Sequence, residues 1–164
     1  MSRSELLRTL ATLLTRRGAT VATAESCTGG NIVATLTSVP GASEWLHTGL
    51  ICYQRASKQR VLGLSEAELS DGLVSEKTAK AMAEHARQVA GVTYAVSTTG
   101  VCGPAESEGI PPAAAWVGVA TPAGCTAEWV TLPDRGREAN QAAITMRALE
   151  ILLEHLQKEG TPTA

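Results

Sequence analysis

Stretches with helical periodicity alternate with short β-leaning runs along this sequence, and a chain patterned that way stacks helices against a sheet. The first helical stretch opens at Ser2, which has capping-box spacing to Glu5. Leu6, Leu7, Leu10, Leu13 and Leu14 then fall on one face before Gly18 closes it. Ala19 to Glu25 reads as a strand and Ser26 to Gly30 as a tight turn. Ile32, Val33 and Leu36 mark a second helix, which Pro40 and Gly41 break. Thr48 to Tyr53 reads as the next strand, followed by a helix carrying Lys58, Val61 and Leu62. Ser75 caps a longer helix whose Ala79, Met82, Ala83, Ala86, Val89 and Ala90 share a face ended by Gly91. Thr93 to Thr99 forms a strand and Gly100 to Pro112 an unusually long loop. Ala115 to Thr121 and Cys125 to Leu132 form a hairpin around Pro122, Ala123 and Gly124. A last helix presents Ile144, Ala148, Ile151 and Leu152. The expected fold is therefore α/β: a single-domain three-layer α/β/α arrangement with a mixed sheet over residues 1–157, followed by a disordered tail at 158–164.

Composition narrows the function. At 164 residues with 44% apolar content the chain holds one core, with no linker, repeat or second domain in its pattern. Charged residues make up 18%, the net charge is -2 and no like-charge block occurs, so neither nucleic acid nor anionic lipid is an expected partner. Aromatics are only 3% and Phe is absent, which removes the stacking platforms of single-strand binders. The start, with Arg3, Glu5 and Arg8, does not read as a signal peptide, and no apolar run reaches the roughly 20 residues of a membrane span. A cytoplasmic protein acting on a small ligand is expected. Cys27, Cys52, Cys102 and Cys125 show no CxxC pair, and His47, His85 and His155 lie far apart. No metal is expected, and the cysteines read as free, mostly buried thiols.

Two Gly-containing turns follow strands, after Glu25 and after Thr99, where α/β sheets bind ligands. In the first, Ser26 to Gly30 opens a helix whose unpaired N–H groups and dipole favour an anion. The turn can hold a phosphate, or present a nucleophilic Ser26 beside an oxyanion hole, or serve only as an N-cap with packing glycines. A serine nucleophile needs a base. No His is spaced for that role, whereas Lys58, five residues after Tyr53, can serve if its pKa is lowered by desolvation or by a cation such as Arg55. Cys27 is a rival nucleophile, since a helix N-terminus lowers a thiol pKa. Arg135 and Arg137 precede the last helix against its dipole, so a phosphate contact or a surface network is expected to hold them.

These residues resemble a known family, the nicotinamide-nucleotide amidases, stand-alone relatives of the C-terminal domain of the competence/damage-inducible protein CinA. The resemblance runs from about Ser4 to Leu156. It is carried by Thr23-Ala24-Glu25-Ser26-Cys27-Thr28-Gly29-Gly30, by Gly49 to Tyr53 with Lys58 and Leu62-Gly63, and by Thr99-Gly100-Val101-Cys102-Gly103-Pro104, similar to a Thr-Gly-x-Ala-Gly-Pro turn. It implies hydrolysis of the carboxamide of nicotinamide mononucleotide to nicotinate mononucleotide and ammonia, in pyridine nucleotide recycling. Neither a metal nor an organic cofactor is implied. Ser26 would be the nucleophile, Lys58 its activator and Tyr53 an assisting hydroxyl. Thr28, Gly29, Gly30, Thr99, Gly100 and Gly103 would line the nucleotide site, with Arg137 on the phosphate. A homo-oligomer, a dimer, is the implied assembly. The sequence departs from the family pattern at Arg55, where Asn is usual, at Ala113-Ala114 in place of Gly-Thr, and at Gln141 in place of an arginine. Two other readings stand beside the amidase: a paralogue that binds a nucleotide without turning it over, and an assembly module in DNA damage or competence. The second has no basic patch or interaction tail to support it.

Overall fold

The computed structural model describes residues 1–160. Among these residues the α-helices and strands run in the order α1 (Arg3–Arg17), β1 (Val21–Glu25), α2 (Asn31–Thr37), β2 (Leu46–Ile51), α3 (Arg55–Arg60), α4 (Glu76–Ala90), β3 (Tyr94–Val101), β4 (Ala114–Thr121), β5 (Gly124–Thr131) and α5 (Arg137–Lys158). The signals that start and stop the long helices act as the sequence indicates. Ser2 and Glu5 form the reciprocal capping box, Ser75 accepts from the Thr78 N–H, and Gly18 and Gly91 take the left-handed conformation that closes α1 and α4.

The strands form one mixed sheet in the order β2-β1-β3-β4-β5, with β2, β1 and β3 parallel and β4 and β5 antiparallel. Alternate residues of each strand serve opposite layers. Val21, Val96, Val117, Val119 and Val130 pack with Leu10 and Leu14 of α1, Ile32 and Leu36 of α2, and Leu149 and Leu152 of α5. On the other face Ala22, Ala24, Ala95 and Ala120 meet Met82, Ala83 and Ala86 of α4 and Leu62, Leu64 and Leu69 before it. This second face is built almost entirely from alanine, and that draws α4 close. A Cβ at Gly118 would lie 2.4 Å from the Ala79 carbonyl oxygen, so the helix backbone rests directly on the sheet. A core without Phe thus gains its contacts by short separation rather than by large side chains.

The elements agree with the sequence in kind and order, and differ at their ends. β2 begins two residues earlier than expected, at Leu46. β3 extends to Val101 because the far end of the long loop returns beside it, the Ala113 N–H donating to the Val101 carbonyl at 2.8 Å and Ala114 pairing with Val101. α5 runs through Lys158, and the Arg17 guanidinium donates to the Gly160 carbonyl at 2.8 Å; the rest of the expected tail, 161–164, lies outside the described residues. Ala113 is buried with a φ of 64°, a left-handed conformation in a residue that carries a Cβ. That conformation costs a non-glycine residue about 1 kcal/mol or more. Ala113→Gly should therefore raise the thermal midpoint by about 2–4 °C, read by a melting curve of both proteins.

Every connection that matters for chemistry ends at one edge of the sheet. The C-terminal ends of β1, β2 and β3, the start of β4 and the segment from β5 into α5 all reach it. β1 leads through α2 on one face to β2, and β2 leads through α4 on the other face to β3, so the chain diverges around the end of β1. Such a divergence opens a crevice that side chains from several loops can share.

Candidate active site

The turn after β1 carries its own anion. Glu25, fully buried at the end of that strand, turns its carboxylate onto the N-terminus of α2. There it accepts from the N–H groups of Gly30 at 3.2 Å, Ile32 at 2.8 Å and Val33 at 3.0 Å, and from the Thr28 hydroxyl at 2.5 Å. The sequence led us to expect a phosphate or a substrate oxygen on those amides. The chain's own carboxylate takes that place, satisfying the orphan donors and the helix dipole together. Thr28 is consequently buried, its hydroxyl held between Glu25 and Thr98. Gly29 and Gly30 supply the left-handed backbone of the turn, and a Cβ at Gly30 would sit 2.9 Å from Ile51. Glu25→Gln keeps the shape but places an amide N–H₂ against several donors. It should lower stability by about 2 kcal/mol, moving the melting midpoint down by about 4–8 °C in calorimetry.

With the α2 amides occupied, the turn leaves other groups for chemistry. The Ser26 N–H donates to the Thr98 carbonyl and the Gly29 N–H to the Ser26 carbonyl, while among the described residues the N–H groups of Cys27 and Thr28 have no partner. Ser26 Oγ lies 2.9 Å from Lys58 Nζ. Lys58 is only 1% exposed, and its Nζ also donates to the carbonyls of Cys52 at 2.8 Å and Tyr53 at 2.9 Å. No carboxylate forms an ion pair with it among the described residues. Burial pushes the lysine pKa below its ordinary value of 10.5, and more distant negative groups, Glu108 among them, only partly offset this. Arg55, expected to do the displacing, instead pairs with Glu66 at 2.5 Å on the surface, and desolvation is the leading cause. Nζ donates to the two carbonyls and to Ser26 Oγ, and loss of the proton it shares with the serine leaves a lone pair aimed at that hydroxyl.

Beside this pair lies a cleft of about 170 Å³ lined in part by Cys27, Tyr53, Gly100, Gly103, Ser107 and Arg137. Tyr53 is half exposed, and its hydroxyl accepts from Arg137 Nη2 at 2.8 Å rather than touching Ser26 or Lys58; its backbone carbonyl is the group that meets Lys58. Arg137 Nη1 donates to the Gly103 carbonyl at 2.6 Å, which bridges α5 to the loop after β3. Gly100 lets β4 approach, since a Cβ there would lie 2.5 Å from the Ala114 carbonyl oxygen, and a Cβ at Gly103 would press on Pro112. Thr99 is buried, its hydroxyl donating to the Leu73 carbonyl at 2.5 Å, so it secures the loop before α4 rather than facing the cleft. Gln141 donates to the Cys27 carbonyl at 3.1 Å.

Two residues shape the site without having been singled out in the sequence. Asn140 is buried, with Nδ2 donating to the Cys102 carbonyl and to Asp134 at 2.9 Å each and Oδ1 accepting from the Arg135 N–H, so it ties the two loops of the cleft together. Its signal was present: it stands four residues before Ile144 on the apolar face of α5, where a polar side chain needs internal partners. Glu108 receives the N–H groups of Leu73 and Val74, pinning the long loop across the sheet edge. Nothing in the local pattern distinguished it from Glu106. Among the described residues no group of three His, Cys, Asp or Glu side chains gathers as a metal site, and no helix is long and apolar enough to cross a membrane.

The geometry has close counterparts. Residues 3–156 match the family described as the CinA C-terminal domain. A CinA-like protein of Desulforapulum autotrophicum is 38% identical over 150 residues, which is 90% of this chain and 36% of that protein. A Shewanella oneidensis protein named nicotinamide-nucleotide amidohydrolase PncC is 36% identical over 149 residues, 90% of this chain and 35% of its own length. The chain thus spans about a third of the length of these curated relatives. Among solved structures, a CinA superfamily protein from Klebsiella pneumoniae superposes with a TM-score of 0.91 at 28% identity, covering 96% of this chain and 99% of that one. The competence/damage-inducible protein CihA from Agrobacterium tumefaciens gives 0.88 at 33% identity with the same coverage. With the three-layer fold, the β1 turn and the Lys58 placement all in hand, the match over 3–156 assigns this chain to the CinA C-terminal domain family.

Proposed function

We propose that this chain is an amidohydrolase that converts nicotinamide mononucleotide to nicotinate mononucleotide and ammonia, with Ser26 as nucleophile and Lys58 as its base. The observation that carries the proposal is the buried Lys58 Nζ at 2.9 Å from Ser26 Oγ, with no carboxylate in an ion pair with it among the described residues. The relative named PncC supplies the substrate class. Neutral Lys58 takes the Ser26 proton as Oγ attacks the carboxamide carbon, and the free Cys27 and Thr28 N–H groups receive the oxygen that becomes negative. The resulting ammonium of Lys58 keeps its bonds to the Cys52 and Tyr53 carbonyls and returns a proton to the departing nitrogen, which leaves as ammonia. Water, deprotonated by the same amine, then releases the carboxylate from Ser26.

Binding of the nucleotide rests on the far side of the cleft. The α2 amides are taken by Glu25, so the phosphate belongs with Arg137 and the start of α5, where Gly136 provides no side-chain cap. Arg137→Gln should raise KM about tenfold or more with kcat changed only a few-fold, because a phosphate contact distant from the carboxamide contributes equally before and during reaction. Steady-state kinetics over a range of nucleotide concentrations separates the two parameters. Incubation with nicotinamide mononucleotide, with products resolved by chromatography, tests the proposal itself. Nicotinate mononucleotide should accumulate, and a nucleotide that binds yet stays unchanged would favour the inactive paralogue.

A further inference from the structure

The mechanism leaves two nucleophilic groups beside the cleft unused. Cys27, next to Ser26, and Cys102, next after β3, sit together in a small cluster with Ala115 and Ile144, and the Cys102 thiol donates to the Cys27 carbonyl at 3.5 Å. Both border the cleft that reaches solvent past Tyr53 and Arg137. From this placement we propose that Cys27 and Cys102 form an oxidisable pair, which a peroxide converts to an intramolecular disulfide that switches the site off. The consequence for turnover rests on the amidase reading; the cross-link does not.

The two thiols are unequal, which sets the order of events. Cys102 is held below the ordinary thiol range, first by the hydrogen bond its sulfur receives from Cys27 and then by the charge of Arg137, against the opposing effect of burial. Cys27 is pushed well above that range, chiefly by the neighbouring Cys102 and then by burial. Cys102, which borders the cleft beside Gly103 and Arg137, is the sulfur that meets peroxide. Its thiolate attacks one peroxide oxygen, the O–O bond breaks, and a sulfenic acid forms while the other oxygen leaves as water after taking a proton. Cys27 sulfur then attacks the sulfenic sulfur. The S–O bond breaks, its oxygen departs with the Cys27 proton as a second water, and the S–S bond forms. Two thiols lose two electrons and one peroxide becomes two waters. The disulfide ties the residue that follows Ser26 to the end of β3, and its closure moves the Cys27 N–H that the proposed mechanism uses.

The other two cysteines do not share this placement. Cys52 is enclosed in the apolar cluster under α4, where burial raises its thiol, and Cys125 lies on β5 with its thiol pushed up to about 11 by burial. The test treats the full chain with hydrogen peroxide, blocks remaining thiols by alkylation, and maps peptides by mass spectrometry without reduction. The expected result is a linked peptide joining Cys27 to Cys102 with Cys52 and Cys125 alkylated. Ammonia release should fall about tenfold or more and return on addition of dithiothreitol. C102A should keep its own untreated rate after peroxide, whereas C125A should lose activity as the parent does. Absence of the linked peptide overturns the pair, as does its formation with undiminished turnover. A parent that releases no ammonia before treatment overturns the amidase reading instead, and the peptide map still decides the cross-link.

Discussion

Ser26→Ala should fold with nearly unchanged stability and lose about a thousandfold or more in kcat. The substitution removes one hydroxyl whose protein partners are Lys58 Nζ and, at 3.4 Å, the Tyr53 carbonyl. Lys58 keeps both of its backbone carbonyls, and the Glu25 carboxylate still closes α2 through the Gly30, Ile32 and Val33 amides. The turn therefore persists while the attacking atom is gone. Melting curves beside turnover separate the two effects. If the variant kept near-parental kcat, Ser26 would be a turn residue only. Cys27→Ala is the companion experiment, and loss of activity there alone would move the nucleophile to the thiol.

The second large effect belongs to Lys58. Lys58→Met has similar length and no proton-accepting atom, so it should abolish turnover while nucleotide affinity stays within about tenfold, the Arg137 side of the cleft being untouched. Lys58→Arg should fare no better, since guanidinium stays charged. In the parent the attacking pair requires the neutral amine, and burial lowers the lysine pKa below 10.5. kcat/KM should therefore rise with pH through that lowered value and level off above it. Stability follows the same sign. Between the folded and the unfolded pKa the unfolded chain binds more protons, so the cost of burying the ammonium is full below the folded pKa and disappears as pH approaches 10.5. A pH-independent kcat/KM across this range would remove Lys58 from the role of base.

The layers and their order were legible in the sequence because α1 and α4 announce their ends. Ser2 with Glu5, Ser75, Gly18 and Gly91 all act through local backbone geometry, which a short window of residues fixes. The strand ends were less legible. The extension of β3 to Val101 depends on Ala113 folding back across the sheet, a contact between residues far apart in the chain, and in a conformation that alanine does not favour. At the site, Ser26 and Lys58 could be named, but their contact depends on β1 and β2 being neighbours, which no local signal contains. The resemblance supplied that pairing. It did not supply the electrostatics: Glu25 returns locally to the α2 amides where an outside anion was expected, and Arg55, expected to lower the Lys58 pKa, pairs with Glu66 instead. The same holds for Tyr53, whose carbonyl rather than its hydroxyl reaches Lys58.

The central claim is that a buried lysine turns Ser26 into the nucleophile of an amide hydrolysis, and ammonia release from nicotinamide mononucleotide tests it most directly. The parent, Ser26→Ala and Lys58→Met should be assayed together, with nucleotide binding measured on each. The account predicts steady ammonia release by the parent alone and binding by all three. Ammonia released at parental rate by either variant, or by none of the three proteins despite binding, would contradict it.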